Sequence, residues 1–322
     1  MRLFVTGVAG FVGRHLLESW GPGAEFHGAD HAPLESLQGA ESLRERLASY
    51  RALDITDAGA LSVAVRELRP DAVVHLAAQS SGAESLLHPV ETYRVNALGS
   101  LFLLEAVRAG APEATLLLIG SADAYGSGTA GALIREDAPL RPQNPYGLSK
   151  AAQDALGDLY AATYHVRVVR TRTFSHTGPG QRPRFALAAF AEQIARVDAG
   201  LQPPEISVGN LDAVREYGDV RDAVAAYRAL VERGEPGEAY NVCTGVGHRL
   251  RDLLDQLLAL AGVRATVVSD PSRVRSRDID NVVGDPTKIR ARTGWTPRVP
   301  MERTLTDLYR DARARVRRES GR

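Results

Sequence analysis

Lysine is nearly missing from this chain. Of 39 basic residues among 322, only Lys150 and Lys288 are lysines, and the other 37 are arginines. An ammonium kept at two places against that background asks for a reason at each. Cysteine is scarcer still. Cys243 stands alone, which excludes an internal disulfide framework and a cysteine-based zinc site. An excess of charge of one sign is also lacking: 39 acidic residues balance the basic ones, with a pI of about 7.1. That balance argues against a nucleic-acid or polyanion binder. No apolar run approaches the roughly 18 residues of a membrane span. Residues 1–7 read straight into a strand and leave no room for a signal peptide. The expectation is a soluble cytoplasmic protein with no nucleic-acid, membrane or metal partner. At about 150 residues per domain, the length suits two domains.

What the chain does contain is alternation. Short apolar runs occur at 3–6, 25–29, 51–53, 72–76, 115–120 and 166–171. Several are nearly continuous in Val, Leu and Ile, as strands covered on both faces should be. Helical patterns such as 98–109 and 149–164 lie between them. This predicts an α/β fold with a doubly wound parallel sheet. After residue 175 the pattern changes. Segment 176–216 is rich in Gly, Pro, Gln and Arg, and a strand-like piece returns at 238–243. A helix follows at 250–261, then an arginine-rich stretch at 272–280, and a charged helix closes the chain at 301–317. The expected division is a main domain of 1–175 with 218–243, a smaller and partly discontinuous C-terminal substrate lobe of 176–217 with 244–316, and a frayed tail at 317–322.

Gly7-Val8-Ala9-Gly10-Phe11-Val12-Gly13 follows the first run and opens a helix. Glycines at this spacing allow a tight turn, close backbone approach to a pyrophosphate, and a helix N-terminus facing the anion. In its strand–turn–helix context the motif predicts a dinucleotide site in a Rossmann domain. Asp30 closes the second run. A carboxylate there binds the adenine-ribose hydroxyls of NAD and repels a 2′-phosphate. No arginine occurs in the next several residues. NAD(H) is therefore favoured, with NADP(H) left open. Asp54 and Ile55 are candidates to frame the adenine, while Asp57 reads as a helix N-cap.

Tyr146-Gly147-Leu148-Ser149-Lys150 has the Y-x-x-x-K spacing, which puts phenol and ammonium on one helix face. The expectation is that the ammonium lowers the phenol pKa and makes Tyr146 an acid or base near neutral pH. A compact ammonium that also reaches a ribose is a reason to keep lysine here. Ser121 follows the fifth run, where parallel sheets bind ligands, and is a candidate to hydrogen-bond a substrate carbonyl. Asp123 is either a second acid or base, or a turn residue.

Together these residues resemble the extended short-chain dehydrogenase/reductase family that modifies nucleotide sugars. The resemblance covers nearly the whole chain. It rests on the glycine motif, His75-Leu76-Ala77-Ala78, Asn96-Ala97-Leu98-Gly99, and the Ser/Tyr/Lys set. Segments 209–217, 284–288 and 293–297 resemble the GDP-mannose branch, and Arg275-Ser276-Arg277-Asp278 resembles its Arg-Pro-x-Glu element. The resemblance implies that Leu76, Ala77 and Ala78 join Gly7, Gly10, Phe11, Val12 and Gly13 at the cofactor, with Tyr146 and Lys150. It implies Ser80, Ser121, Ser175, Asn210, Arg215, Arg275 and Asp278 at the substrate, with Arg215 and Arg275 on a diphosphate. Within the branch, Asp30, segment 10–13 and segment 171–181 favour reduction of a GDP-linked 4-keto-6-deoxyhexose, giving a GDP-6-deoxyhexose such as GDP-rhamnose. A GDP-mannose 4,6-dehydratase or related epimerase is the alternative, and a non-catalytic dinucleotide sensor is a remote one. The family also implies a homodimer made by pairing helices near 92–109 and 149–164, with Ala151, Ala152, Ala155, Leu159 and Ala162 as an apolar face. The same residues would equally suit packing on the sheet.

Overall fold

The computed structural model describes residues 1–129, 131–271 and 281–321. Its first six strands are β1 (Arg2–Thr6), β2 (Glu25–Asp30), β3 (Ser49–Ala52), β4 (Ala72–His75), β5 (Thr115–Ser121) and β6 (Val168–Thr173). With the edge strand Ala239–Val242 they form one sheet in the spatial order edge strand, β6, β5, β4, β1, β2, β3. Every pairing in it is parallel. The chain winds outward one way from β1 to β3, then crosses to β4 and winds the other way. The switch lies between β1 and β4, where ligands of such sheets bind, beyond the carboxyl ends of the strands.

Alternation along the strands builds two cores. Leu3, Val5, Val74, Leu117 and Val169 face the helices Phe11–Ser19 and Val220–Arg233, where Leu16, Trp20 and Tyr227 meet them. Phe4, Val73, Leu116 and Val168 face the opposite side, with Leu61, Leu103 and Leu104. Successive strand residues point to opposite faces, so a strand buried on both sides must be apolar throughout. A separate core joins the helices Ala186–Asp198, Leu250–Ala261 and Met301–Glu319 around Phe190, Leu254 and Leu308. Ile289 and Trp295, expected in the smaller lobe, pack instead with Tyr227 and its neighbours.

Several boundaries differ from expectation. The expected helix 98–109 is the end of a longer rod, made of Pro89–Tyr93, a π-helical turn at Arg94–Leu98, and Gly99–Gly110. The wide turn lets Asn96 reach sideways. Its side chain accepts from Gln79 N at 2.9 Å and donates to Gln79 O at 3.0 Å and Ser149 Oγ at 2.9 Å. The expected helix 149–164 starts earlier, at Pro145, with Asn144 Oδ1 capping Gly147 N at 2.7 Å. The segment 176–216 contains the helix Ala186–Asp198, which composition alone obscured. The final helix runs to Glu319, beyond the expected fraying point, where Arg196 pairs with Glu319 at 2.8 Å.

Candidate active site

The glycine turn sits at the switch point. Gly7 has φ +71°, and a Cβ there would lie 2.6 Å from Ala77 N, the backbone following β4. Gly13 packs equally close, since a Cβ there would meet Val8 O at 2.3 Å. Gly10 caps the helix Phe11–Ser19 with no side-chain hydrogen bond. Its first-turn amides, those of Phe11, Val12 and Gly13, face outward with the positive end of the helix, which suits a diphosphate. Phe11 stacks on His176 with ring centroids 6.1 Å apart. Leu76, Ala77 and Ala78 follow β4 beside this turn, and Ala77 N approaches Thr6 Oγ1 at 3.4 Å. A Gly7→Ala variant is expected to lose at least about 1–2 kcal/mol from the left-handed backbone alone, with the clash on Ala77 added. Urea unfolding and NADH titration together check this. Wild-type values in both would refute it.

Asp30 ends β2 beside the same turn. Its Oδ2 accepts from Ala9 N at 3.1 Å, and its Oδ1 lies 2.9 Å from both His31 N and His31 Nδ1. Asp54 turns onto its own loop, accepting from Thr56 N and Oγ1 at 2.8 Å each. Ile55 is buried, and a Cβ on Gly99 would lie 2.7 Å from its Cδ1. Asp57 is the N-cap of Ala58–Leu68, as its sequence suggests. His75 is structural. It bridges Thr6 Oγ1 at 2.7 Å and Ser100 Oγ at 3.0 Å, and burial holds its pKa down at about 3.

The structure brings Ser121, Asp123, Tyr146 and Lys150 together beyond β5. Tyr146 lies in the first turn of Pro145–Tyr164, and its N–H donates to the buried Ser85 Oγ at 3.1 Å. Its phenol faces Ser121. Asp123 is tied to the same helix start by Asn144 Nδ2 at 3.3 Å, and Ser121 Oγ accepts from Asp123 N at 3.2 Å. The expected lowering of the phenol pKa is corrected here. Burial pushes the Tyr146 phenol up, the Asp123 charge pushes it further, and only the Ser121 hydroxyl opposes them. Lys150 does not reverse this, because its ammonium is spent elsewhere. It donates at 2.8 Å to Ile119 O and at 2.8 Å to Gln153 Oε1, and burial lowers its own pKa to about 7.

The candidate substrate residues come from separate segments of the chain. Ser80 is exposed and receives Arg184 at 3.3 Å. Ser175 is exposed, and its carbonyl accepts from Gly218 N at 2.8 Å. Asn210 Oδ1 accepts from Asp212 N at 3.0 Å. Arg215 lies in the strand Val214–Glu216, opposite His248. Arg275 and Asp278 lie outside the described residues. Sequence reasoning missed Ser85, Asn144 and Gln153, whose partners come from distant segments or the next helical turn and carry no motif; it quoted Asn96 in a motif but gave it no contact.

Residues 4–308 match the family model described as GDP-mannose 4,6 dehydratase. The chain belongs to this family. It is 37% identical over 319 residues to the GDP-6-deoxy-D-mannose reductase of Pseudomonas aeruginosa, covering 99% of each chain. The solved structure of RMD from Pseudomonas aeruginosa complexed with NADPH aligns with TM-score 0.83 at 34% identity, covering 98% of this chain and 99% of that one. The UDP-glucose 4-epimerase of Thermus thermophilus, solved in complex with NAD, aligns with TM-score 0.85 at 33% identity, covering 97% and 99%. Membership of the GDP-mannose 4,6 dehydratase family thus extends over the glycine turn, the Ser/Tyr/Lys group and the strand carrying Arg215. Among the described residues, no helix is long and apolar enough to cross a membrane.

Proposed function

We propose that the protein reduces the C4 ketone of GDP-4-keto-6-deoxy-D-mannose to a GDP-6-deoxyhexose, GDP-D-rhamnose. The observation that carries this reading is the 37% identity to a reductase over 99% of both chains. Ser121, Tyr146 and the neighbouring Lys150 supply the chemistry. Tyr146 gives its proton to the developing C4 alkoxide, a far stronger base than a phenolate. A phenol pushed upward by burial and Asp123 stays protonated until that base appears. Ser121 orients and polarises the carbonyl. Lys150 holds the nicotinamide ribose. A bound reduced dinucleotide supplies the hydride, and the protein supplies position and field. Ser80, Ser175, Asn210 and Arg215 are the proposed sugar-nucleotide contacts, and the family resemblance adds Arg275 and Asp278, with forked guanidinium groups on the diphosphate.

The test is to mix the protein with the keto sugar nucleotide and NADH or NADPH and follow reduced-nicotinamide absorbance. Oxidation with formation of a 6-deoxyhexose nucleotide is expected. No oxidation with either cofactor would sink the reading. Turnover of GDP-mannose without added cofactor would favour the dehydratase, and binding without turnover would favour a sensor.

NAD(H) is the proposed cofactor. Asp30 places a carboxylate beside the glycine turn, and like charges brought together cost several kcal/mol. Of the two related structures described above, one holds NADPH and one NAD. NADH is expected to exceed NADPH in kcat/KM by at least about tenfold, each 1.4 kcal/mol being worth a factor of ten. Asp30→Asn is expected to narrow that ratio. A wild-type preference for NADPH would overturn the assignment.

The proposed assembly is a cytoplasmic homodimer joined through a four-helix bundle. Support comes from apolar side chains left outward on the two helical rods: Val90 is 81% exposed, Leu98 41%, Leu148 52% and Leu159 52%. Ala155, Leu159 and Ala162 face outward, while Gln153, Gly157 and Tyr160 are buried, so the apolar stripe is not used up on the sheet. A dimer in sedimentation equilibrium, and a monomer for the Val90→Asp/Leu148→Asp variant, are the expected results. A monomeric wild type would refute the assembly.

A further inference from the structure

Lys150 is asked to hold a ribose, and something must hold Lys150. The residue is 4% exposed. Its acceptors, Ile119 O on β5 and Gln153 Oε1 one turn along its own helix, carry no net charge. Gln153 is itself 1% exposed, and its Nε2 lies 3.5 Å from the same Ile119 carbonyl. The orientation of this amide follows from chemistry: an ammonium has only donors, so the oxygen must face it. Other charged or titratable groups around Lys150 are engaged elsewhere. Asp154, on the next turn of the helix, is turned to Arg170 and Arg172. His75 from β4 is held neutral by burial. Tyr146, one turn earlier on the helix, faces Ser121, and Asp123 from the segment after β5 is tied to Asn144.

We propose that Gln153 is a positioning residue, whose amide oxygen together with the Ile119 carbonyl holds the Lys150 ammonium in place for the nicotinamide ribose. The ribose part of this rests on the reductase reading. The hold on Lys150 does not. Burial strips charge from a lysine, and here it draws Lys150 to about pH 7. An acceptor at hydrogen-bond distance opposes that loss. Gln153 therefore governs how much of Lys150 is cationic at neutral pH. Two near-isosteric substitutions separate this from simple packing. Gln153→Met keeps the volume and removes the oxygen. Gln153→Glu keeps the shape and adds a charge. A packing role predicts similar behaviour for both, and a positioning role predicts opposite shifts.

The scarcity of lysine makes the measurement direct. Protein labelled with carbon-13 at the lysine Cε gives two lysine resonances, which a Lys288→Gln variant assigns. Titrated without dinucleotide, Lys150 is expected to show its midpoint near 7 in wild type. The midpoint is expected roughly one unit lower in Gln153→Met and about 1–3 units higher in Gln153→Glu. The Lys288 resonance, from a side chain paired with Glu238 at 2.7 Å, is expected at its wild-type chemical shift in both variants and reports an intact fold. NADH binding is expected to weaken at lower pH in Gln153→Met than in wild type, and to persist to higher pH in Gln153→Glu. An unchanged Lys150 midpoint, or a shift in the same direction in both variants, would overturn the proposal. A wild-type protein that fails to oxidise NADH with the keto sugar nucleotide would defeat the reductase reading and leave these titrations fully interpretable.

Discussion

Tyr146→Phe is expected to lose between about 10²- and 10⁴-fold in kcat, the usual worth of a positioned general acid. The ring stays and only the hydroxyl goes. The packing around it is unchanged, and Ser121 keeps its backbone partner Asp123 N. Cofactor affinity should therefore be close to wild type, because the glycine turn and Lys150 are untouched. A fall in kcat and kcat/KM together, with NADH binding preserved, identifies a group used only in the transition state. The pH profile gives a second check. The phenol is held well above its ordinary range by burial and by Asp123. Loss of activity with rising pH is thus not expected to come from Tyr146 ionising. It is expected to follow Lys150 instead, whose charge is lost from about pH 7 upward unless a bound dinucleotide stabilises it. Full activity in Tyr146→Phe would remove the proposed proton donor.

Asp154→Ala is expected to have the largest effect on stability, about 3–5 kcal/mol. This carboxylate is 6% exposed and serves two buried arginines of β6. It accepts from Arg172 Nε at 3.1 Å and Nη2 at 2.9 Å, and from Arg170 Nη1 at 3.2 Å. Arg170 has a second carboxylate, Asp158, at 2.6 Å. The other bonds of Arg172 go to neutral acceptors, Tyr125 Oη at 3.0 Å and Glu136 O at 2.8 Å. Removing Asp154 leaves a buried guanidinium without its carboxylate, which costs more than the pair contributes while intact. The check is a fall in the urea midpoint with an unchanged slope. Pairing Asp154→Ala with Arg172→Met should cost less than the sum of the two single changes, since the two share one interaction. A single variant within about 1 kcal/mol of wild type would refute the account.

The sheet could be read from sequence because burial on both faces forces continuous apolar strands, and β1, β4 and β5 have little else. The glycine turn was legible for a similar reason, since Gly7 and Gly13 sit where no Cβ fits. The helix Ala186–Asp198 was not. Its alanine-rich stripe lies between segments rich in Gly, Pro and Arg, and averaging over them hid the period. Spacing placed Tyr146 and Lys150 on one face, yet it could not say which neutral groups would take the ammonium. That depends on Ile119, 31 residues earlier. Lys288 had no role in the linear chain. The fold sets its ammonium 2.7 Å from Glu238 and 5.0 Å from the Tyr240 ring, so it ties the helix Thr287–Thr293 to the edge strand.

The place of that edge strand bears on synthesis at the ribosome. Sixty-five residues separate Thr173 from Ala239, where the partner strand of β6 begins. At about 5–20 residues per second, β6 waits several seconds as an open sheet edge before its neighbour emerges. Open edges invite pairing with other nascent chains, and inward-pointing charges are one way of discouraging it. Arg170 and Arg172 stand on β6, and Asp154, which neutralises them, has already been made. The arginines that tie β6 to the helix Pro145–Tyr164 in the finished protein are thus also placed to make an unfinished sheet edge a poor partner for another chain.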